Sequence, residues 1–209
     1  DLPDYSDIAV LSRNRSFGLE LQKKAQAYGI PVAYEGEIEL FKTNPAIILL
    51  AWLRVTENEE SDRGWAVILE NAGYRLDEVK HRIEENDYPE NMLEFRDELR
   101  DAPDISAVAA TVFRRHRVEN ALADRITHVL QNVFDSTYKN TGGLIRFIED
   151  SISSGATYDV DTSKRRDTVT AQTIHSAQGL QYPAVFIADI NHRRFPSTNT
   201  ASPTIHFYD

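Results

Sequence analysis

The chain contains 209 residues, of which 41% are hydrophobic and only 9 are Gly and 8 are Pro, so its composition excludes disordered and collagen-like polymers. It contains no Cys, which excludes disulfide scaffolds, thiolate zinc sites, iron–sulfur clusters and cysteine nucleophiles. The formal net charge of −10 comes from residues 56–104, which hold 16 acidic and 6 basic side chains, and it argues against a general nucleic-acid coat protein.

The amino-terminal part of the chain predicts a strand, a helix and a second strand. The apolar run at residues 8–11 indicates a buried strand. A helix follows with Ser16 as its N-cap, and Gly29 and Pro31 end it. Residues 31–34 then form the second predicted strand. One face of the helix is predicted to carry Phe17, Leu21, Ala25 and Tyr28.

The middle of the chain predicts helices only. A buried helix should begin at Asn44-Pro45, since Pro favours the first helical turn, and end near Thr56. From residue 61 to about 154 the apolar residues recur at helical spacing, and Asp104 is a predicted N-cap.

The carboxy-terminal part predicts a loop followed by two strands. The polar stretch at 158–167 follows a Ser-Ser-Gly break and indicates a loop. The strands are expected at 168–174 and 184–190. Strands at both ends of the chain, with helices between them, predict one α/β sheet interrupted by a helical subdomain.

Polar residues follow two of the predicted strands. Ser12-Arg13-Asn14-Arg15 follows the first strand, and residues 173–179 follow the third. In open α/β sheets ligands bind beyond the carboxyl ends of the strands, so both segments are candidates for binding phosphate or sugar oxygens. On local chemistry alone, ordinary loops at strand ends remain an equal alternative.

Three segments resemble UvrD/Rep-type superfamily 1 DNA helicases. DTVTAQTIHSAQGLQYPAVFIADINHRRFPS resembles the family's fifth motif, T-x-H-x-A-K-G-L-E-F-P, and the apolar strand after it. SDIAVLSRNRSFGLELQKKAQAYGIPVAYEG resembles the fourth motif with its helix, and ELFKTNPAIILLAWLRV is similar to the helix that follows. Together these segments cover roughly 80 residues of the chain.

The resemblance implies a fold and a division of the chain. The fold would be a RecA-like parallel sheet with helices on both faces, interrupted by a helical insertion subdomain. Residues 1–55 and 160–209 would form the second, carboxy-terminal RecA-like motor domain. Residues 56–159 would form the insertion, a reduced version of the family's accessory subdomain.

The resemblance also implies roles for individual residues. Arg13 matches the arginine that reaches the γ-phosphate of ATP, a task suited to its forked, permanently charged guanidinium. Gln178 and Gln181 depart from the family pattern, which has Lys and Glu there. The cofactor-binding set implied by the family is Arg13, Gly179 and Gln181, and the DNA-binding set is Thr173, His175, Gln178 and Arg193.

The function implied is that of an ATP-dependent DNA helicase in which this domain supplies one wall of the ATP site and part of the single-stranded DNA track. The chain contains no G-x-x-x-x-G-K-[ST], so the phosphate loop and the Mg²⁺ ligands are expected in an amino-terminal RecA-like partner domain of the same parent. The fragment alone should be inactive. No apolar run is long enough to span a bilayer, so the parent is expected to be cytoplasmic. It is also expected to be a monomer.

Two other functions remain open from the sequence. The chain could be a catalytically degenerate helicase-like module that acts as a DNA- or protein-binding scaffold, which the two glutamines favour. It could also be a free-standing nucleotide-binding α/β protein, which the missing phosphate loop opposes. Asp77-Glu78 resembles a magnesium-binding acidic pair in sequence alone. Its context predicts the solvent-exposed start of a helix.

Overall fold

The computed structural model describes residues 4–137, 140–162, 167–188 and 190. The chain divides into two compact units. The sheet unit consists of the described residues of 1–36 and 161–209, and the helical unit consists of those of 37–160. The predicted α/β class, with a helical insertion in a sheet domain, is confirmed.

The sheet has five strands in the order β3-β2-β4-β1-β5. The central strand β4 pairs in parallel with β1 and β2, and β1 pairs in parallel with β5. β4 is the central strand of the sheet, and four of its five residues are buried. The strands are β1 (Ile8–Ser12), β2 (Val32–Ile38), β3 (Tyr158–Asp161), β4 (Val169–Thr173) and β5 (Ala184–Ile187).

Helix α1 (Arg15–Gln26) packs on β1 and β4 within the sheet unit. Gly18 is buried in α1, and a Cβ atom placed on it would lie 2.3 Å from Cδ2 of Tyr34. Tyr34 itself is fully buried in β2. The helix and the strand therefore approach each other closely because position 18 has no side chain.

The helical unit is built around α2, which is apolar on nearly all sides and packs against most of the other helices. Trp52 of α2 is 1% exposed and makes edge-on ring contacts with Trp65 and Phe95. The helices are α2 (Asn44–Glu57), α3 (Asp62–Asn71), α4 (Leu76–Glu84), α5 (Glu90–Arg100), α6 (Ile105–His116), α7 (Ala121–Ser136) and α8 (Thr141–Ser154).

The structure corrects the predicted start and apolar face of α1. The N-cap is Asn14 and not Ser16, since the Asn14 side chain accepts a hydrogen bond from the Ser16 N–H. The helix ends at Gln26, and Tyr28 beyond it is 83% exposed, so Tyr28 does not belong to the buried face. Gly29 has φ +69°, which ends the segment as predicted.

The predicted loop at 158–167 is wrong for its first four residues, which form the edge strand β3. Val160 of β3 is 6% exposed. Directly after the strand, Thr162 makes two hydrogen bonds with the backbone of Tyr34. Oγ1 of Thr162 accepts the Tyr34 N–H at 2.7 Å, and the Thr162 N–H donates to the Tyr34 carbonyl at 3.0 Å. The buried Val160 side chain and these backbone contacts stabilise a strand whose other residues are mostly polar.

Candidate functional site

The candidate site lies at the carboxyl ends of β1 and β4. Ser12 and Thr173 lie opposite each other in the parallel pairing of these strands, and both are buried. The pairing continues one residue further, since the Ile174 N–H donates to the Ser12 carbonyl at 2.9 Å. Arg13 and the residues that follow Thr173 therefore leave the sheet at the same edge.

Short-range hydrogen bonds fix the backbone around Arg13. The Ser12 hydroxyl donates to the Asn14 carbonyl at 2.8 Å. The Asn14 side chain accepts from the Ser16 N–H and the Ser16 hydroxyl, at 3.1 and 3.0 Å, and so caps α1. Arg13 stands between these two anchors with an exposed side chain.

The segment after β4, residues 174–181, is a compact turn, which we call the β4 turn. Thr173 Oγ1 accepts the Ser176 N–H at 3.0 Å and lies 2.7 Å from the Ser176 hydroxyl oxygen. Within the turn, the N–H groups of Ala177 and Leu180 donate to the carbonyls of Thr173 and Ala177, both at 3.0 Å. The turn is thus held by its own hydrogen bonds, beginning at Thr173.

The β4 turn presents polar groups to solvent. His175, Gln178 and Gln181 are exposed. Gly179 is exposed as well and has φ +88°, a backbone conformation that suits glycine. Thr173 differs from these residues because it is 8% exposed and its hydroxyl is engaged with Ser176, so its direct contribution is to shape the turn.

Two features of the site were not found from the sequence. Gly36 of β2 has φ +142°, and a Cβ atom there would lie 3.5 Å from the Ser176 hydroxyl and 3.2 Å from that of Tyr34. Gln172 of β4 is 3% exposed and donates its side-chain N–H to the Tyr182 hydroxyl at 2.6 Å. The Gly36 contact joins residues that are distant in sequence, and Gln172 lies among apolar strand residues. The spacing of residues along the sequence therefore does not reveal either feature.

Arg193, the remaining predicted site residue, lies outside the described residues. Within the described part of the chain no group of three or more His, Asp and Glu could hold a metal ion. Glu78 accepts the Arg75 N–H at 2.8 Å and Asp77 pairs with the Arg75 side chain, as expected for a helix start.

The helical unit contains a groove of about 650 Å³ between α6 and α7. Four of its polar side chains form two pairs: Asn132 donates to Nδ1 of His128, and the Ser106 hydroxyl donates to Gln131. None of the residues singled out in the sequence as site residues line this groove. The strand-end edge therefore remains the candidate site.

The strand-end edge offers hydrogen-bond donors of several kinds on a fixed backbone. They comprise the guanidinium of Arg13, the imidazole of His175 and the amide of Gln178. Such groups bind phosphate oxygens, and a permanently charged guanidinium is the strongest of them. Among the described residues, no helix is long and apolar enough to cross a membrane.

Comparison with known proteins finds matches along most of the chain. A family model described as the UvrD-like helicase C-terminal domain matches residues 76–205. The A subunit of the ATP-dependent helicase/nuclease of Leuconostoc mesenteroides is 25% identical, in an alignment covering 90% of this chain and 18% of the relative. The protein of the same name from Ligilactobacillus salivarius is 24% identical over 91% of this chain and 19% of its own length.

A third relative of the same name, from Geobacillus kaustophilus, is 24% identical over 89% of this chain and 19% of its own length. The chain therefore spans about a fifth of the length of the curated relatives it matches. The match to the family model covers most of the helical insertion and the whole β4 turn.

Proposed function

Since the chain belongs to the UvrD-like helicase C-terminal domain family, we propose that it is the carboxy-terminal motor domain of an ATP-dependent DNA helicase or translocase. By the division that the resemblance implies, residues 1–55 and 160–209 would form the second RecA-like domain, and residues 56–159 its helical insertion. Helix α2, which packs within the helical unit, would then belong to the motor domain. The remaining parts of the motor would be supplied by a parent protein, as the length of the relatives suggests.

The observation that carries this proposal is the convergence of Arg13 and the β4 turn on one sheet edge. The helicase resemblance assigns a nucleotide contact to Arg13 and DNA contacts to the turn. These two segments are about 160 residues apart in sequence, yet Ser12 and Thr173 are partners in the same strand pair. A motor that couples two ligands needs their binding groups on one rigid element, and the β1–β4 pair provides it.

On the nucleotide side, Arg13 would bind the γ-phosphate and stabilise the charge that develops there, with Gly179 and Gln181 completing the chain's share of the site. Bound ATP would supply the phosphoanhydride bond whose hydrolysis drives the motor. Mg²⁺ would be held by the amino-terminal RecA-like domain of the parent, as the helicase resemblance implies.

On the DNA side, His175, Gln178 and Arg193 would donate hydrogen bonds to phosphate oxygens of a single strand. Thr173 would contribute by holding the turn that carries His175 and Gln178. Residues 162–200 hold 5 basic and 2 acidic side chains, a local excess of positive charge in a chain of net charge −10. The affinity of this domain should be weak and salt-sensitive because it neutralises few phosphates. We propose that the parent acts as a monomer.

A second function is favoured by one specific observation. Gln178 and Gln181 are exposed on the β4 turn where the helicase pattern has Lys and Glu, so a cation and a carboxylate are replaced by neutral amides. This change favours a degenerate helicase-like module that binds DNA or a protein as a scaffold. The scaffold predicts DNA binding without DNA-stimulated ATP hydrolysis.

Steady-state ATP hydrolysis by the protein that carries this chain tests both functions. At saturating ATP and single-stranded DNA, Arg13→Ala should lower kcat by about 10²-fold, as removal of other charge-stabilising donors does. Arg13→Lys should recover only part of the rate, since an ammonium lacks the guanidinium fork. The matched control is Lys24→Ala, which removes an exposed cation of α1.

Two outcomes would contradict the proposed roles. An unchanged kcat in Arg13→Ala would remove Arg13 from the ATP site. If the wild-type parent binds single-stranded DNA but hydrolyses no ATP in the presence of that DNA, the motor function is wrong and the scaffold function is favoured.

A further inference from the structure

A buried glutamine in the central strand of the sheet is tied to the loop that carries the β4 turn. Gln172 is 3% exposed, and its neighbours in the sheet are β1 on one side and β2 on the other. Its side chain donates to the Tyr182 hydroxyl at 2.6 Å. A buried amide requires a hydrogen-bond partner, and Tyr182 supplies one.

Tyr182 lies just beyond the far end of the β4 turn. The near end is held by the Thr173 hydroxyl, which accepts the Ser176 N–H and contacts the Ser176 hydroxyl. The far end is held by Tyr182, whose partner Gln172 is the residue immediately before Thr173. The turn is therefore closed into a loop whose two anchors are neighbours on β4.

A hydrogen bond at this place does more than an apolar contact would. Packing of two apolar side chains tolerates sliding, whereas a buried donor left without its acceptor costs the full desolvation of that group. Any conformation of the turn that carries Tyr182 away from β4 leaves the Gln172 amide unpaired. The pair therefore selects one position for the far end of the turn.

We infer that Gln172 and Tyr182 are positioning residues, which hold the β4 turn in the conformation that places His175, Gln178 and Gln181 for ligand binding. Neither residue needs to touch DNA or nucleotide. The identity of the ligands that the turn binds rests on the function proposed above. The effect of the hydrogen bond on the turn itself is independent of that function and is measured separately.

Three variants isolate the hydrogen bond in the protein that carries this chain. Tyr182→Phe removes the acceptor and keeps the ring, and Gln172→Met removes the donor at similar volume. The double variant Gln172→Met with Tyr182→Phe leaves an apolar pair with no unpaired polar group. Tyr28→Phe is the matched control, since it removes a hydroxyl from a side chain of the same unit that is 83% exposed.

Hydrogen exchange reads out the turn directly. In Tyr182→Phe we expect the amides of Ala177, Gln178 and Leu180 to exchange about 5-fold faster, which corresponds to the loss of one ordinary hydrogen bond. In the double variant the melting temperature should return toward that of the wild type, while exchange in the turn stays fast. A residue pair that only filled space would restore both quantities together.

Binding to a single-stranded oligothymidylate reads out the consequence. Tyr182→Phe should raise Kd by about 5-fold and leave the slope of log K against log salt unchanged, because the same phosphates are contacted by a turn that must first be ordered. The Tyr28→Phe control should match the wild type in exchange, melting temperature and Kd.

The outcomes separate this inference from the proposed function. Turn amides in Tyr182→Phe that exchange as slowly as in Tyr28→Phe would overturn the positioning role, and so would a double variant that recovers slow exchange. Faster exchange with an unchanged Kd would leave the positioning role standing and would remove the β4 turn from the DNA site.

Discussion

Trp52 donates its indole N–H to Nε2 of the half-buried His116 across 2.8 Å in the helical unit. An indole nitrogen can only donate, so Nε2 must be an acceptor and the proton of the neutral ring must lie on Nδ1. From there it reaches the side-chain oxygen of Asn71 at 2.9 Å. The imidazole thus joins α2, α3 and α6, and its tautomer is determined by its partners.

The first prediction is a loss of stability at mildly acidic pH. Burial of the imidazole, followed by the nearby Arg115 guanidinium, lowers the pKa of His116 below its ordinary 6.5. The unfolded chain therefore takes up the proton more readily than the folded one, so the contribution is complete above pH 6.5 and declines as pH falls below it. Protonation would also set a second N–H against the indole donor.

Urea denaturation between about pH 7.5 and 5 measures this effect. The free energy of unfolding should fall with pH in the wild type, and the decline should be smaller in His116→Gln, which cannot take up the proton. The matched control is His128→Gln, on an exposed residue of α7. Equal pH dependence in the wild type and His116→Gln would show that this histidine does not carry it.

The second prediction concerns the close approach of α1 to β2. In Gly18→Ala the new methyl group would lie 2.3 and 2.7 Å from two ring carbons of Tyr34, which is fully buried and cannot move into solvent. Overpacking of this kind costs about 1–3 kcal/mol or more, against a gain of about 1 kcal/mol in helix propensity.

A net loss of stability of up to about 2 kcal/mol is therefore expected in Gly18→Ala by chemical denaturation. Lys23→Ala is the matched control, because it changes an exposed position of the same helix without adding contacts. A Gly18→Ala variant more stable than Lys23→Ala would show that the interface relaxes easily.

The third prediction is that the isolated 209-residue chain hydrolyses no ATP. The proposed site needs a phosphate loop and Mg²⁺ ligands, and the chain has no G-x-x-x-x-G-K-[ST]. Phosphate release by a homogeneous, folded sample should stay at the level of buffer with or without single-stranded DNA. DNA-stimulated phosphate release that persists after repeated purification would contradict the proposal that this chain supplies only one wall of the ATP site.

The placement of Arg13 beside the β4 turn could be predicted, because parallel strands bring their carboxyl ends to one edge of the sheet. The details of the edge could not. Asn14 and Ser16 are both good caps two residues apart, so only the hydrogen-bonding geometry distinguishes them. Tyr28 continued an apolar spacing, but α1 ends at Gln26 before the spacing reaches it.

The largest gaps in the sequence-based prediction concern groups whose role depends on a distant partner. Most residues of β3 are polar, and its sequence does not show that Val160 is buried or that the segment lies beside β2 in the sheet. Gln172 interrupts an otherwise strand-like segment, and only the structure shows that Tyr182 satisfies it. Local spacing contains information about helices and strand ends, but not about which buried polar groups pair.

The last prediction separates charge from hydrogen bonding on the proposed DNA side of the site. In the protein that carries this chain, Arg193→Ala should weaken binding to single-stranded DNA and reduce the slope of log K against log salt by about 0.7, the value for one neutralised phosphate on a single strand. His175→Ala, at an exposed position of the β4 turn, should weaken binding mainly by removing a hydrogen-bond donor.

The double variant His175→Ala with Arg193→Ala should lose affinity by roughly the product of the two single effects, because a phosphate contact and an imidazole contact on separate segments are expected to add. His128→Ala, on the exposed surface of α7, is the control and should bind as the wild type does. A double variant with wild-type affinity and salt slope would mean that the single strand does not cross this edge. The donors after β4 would then require another anionic ligand, and Arg13 would have to be judged by ATP hydrolysis alone.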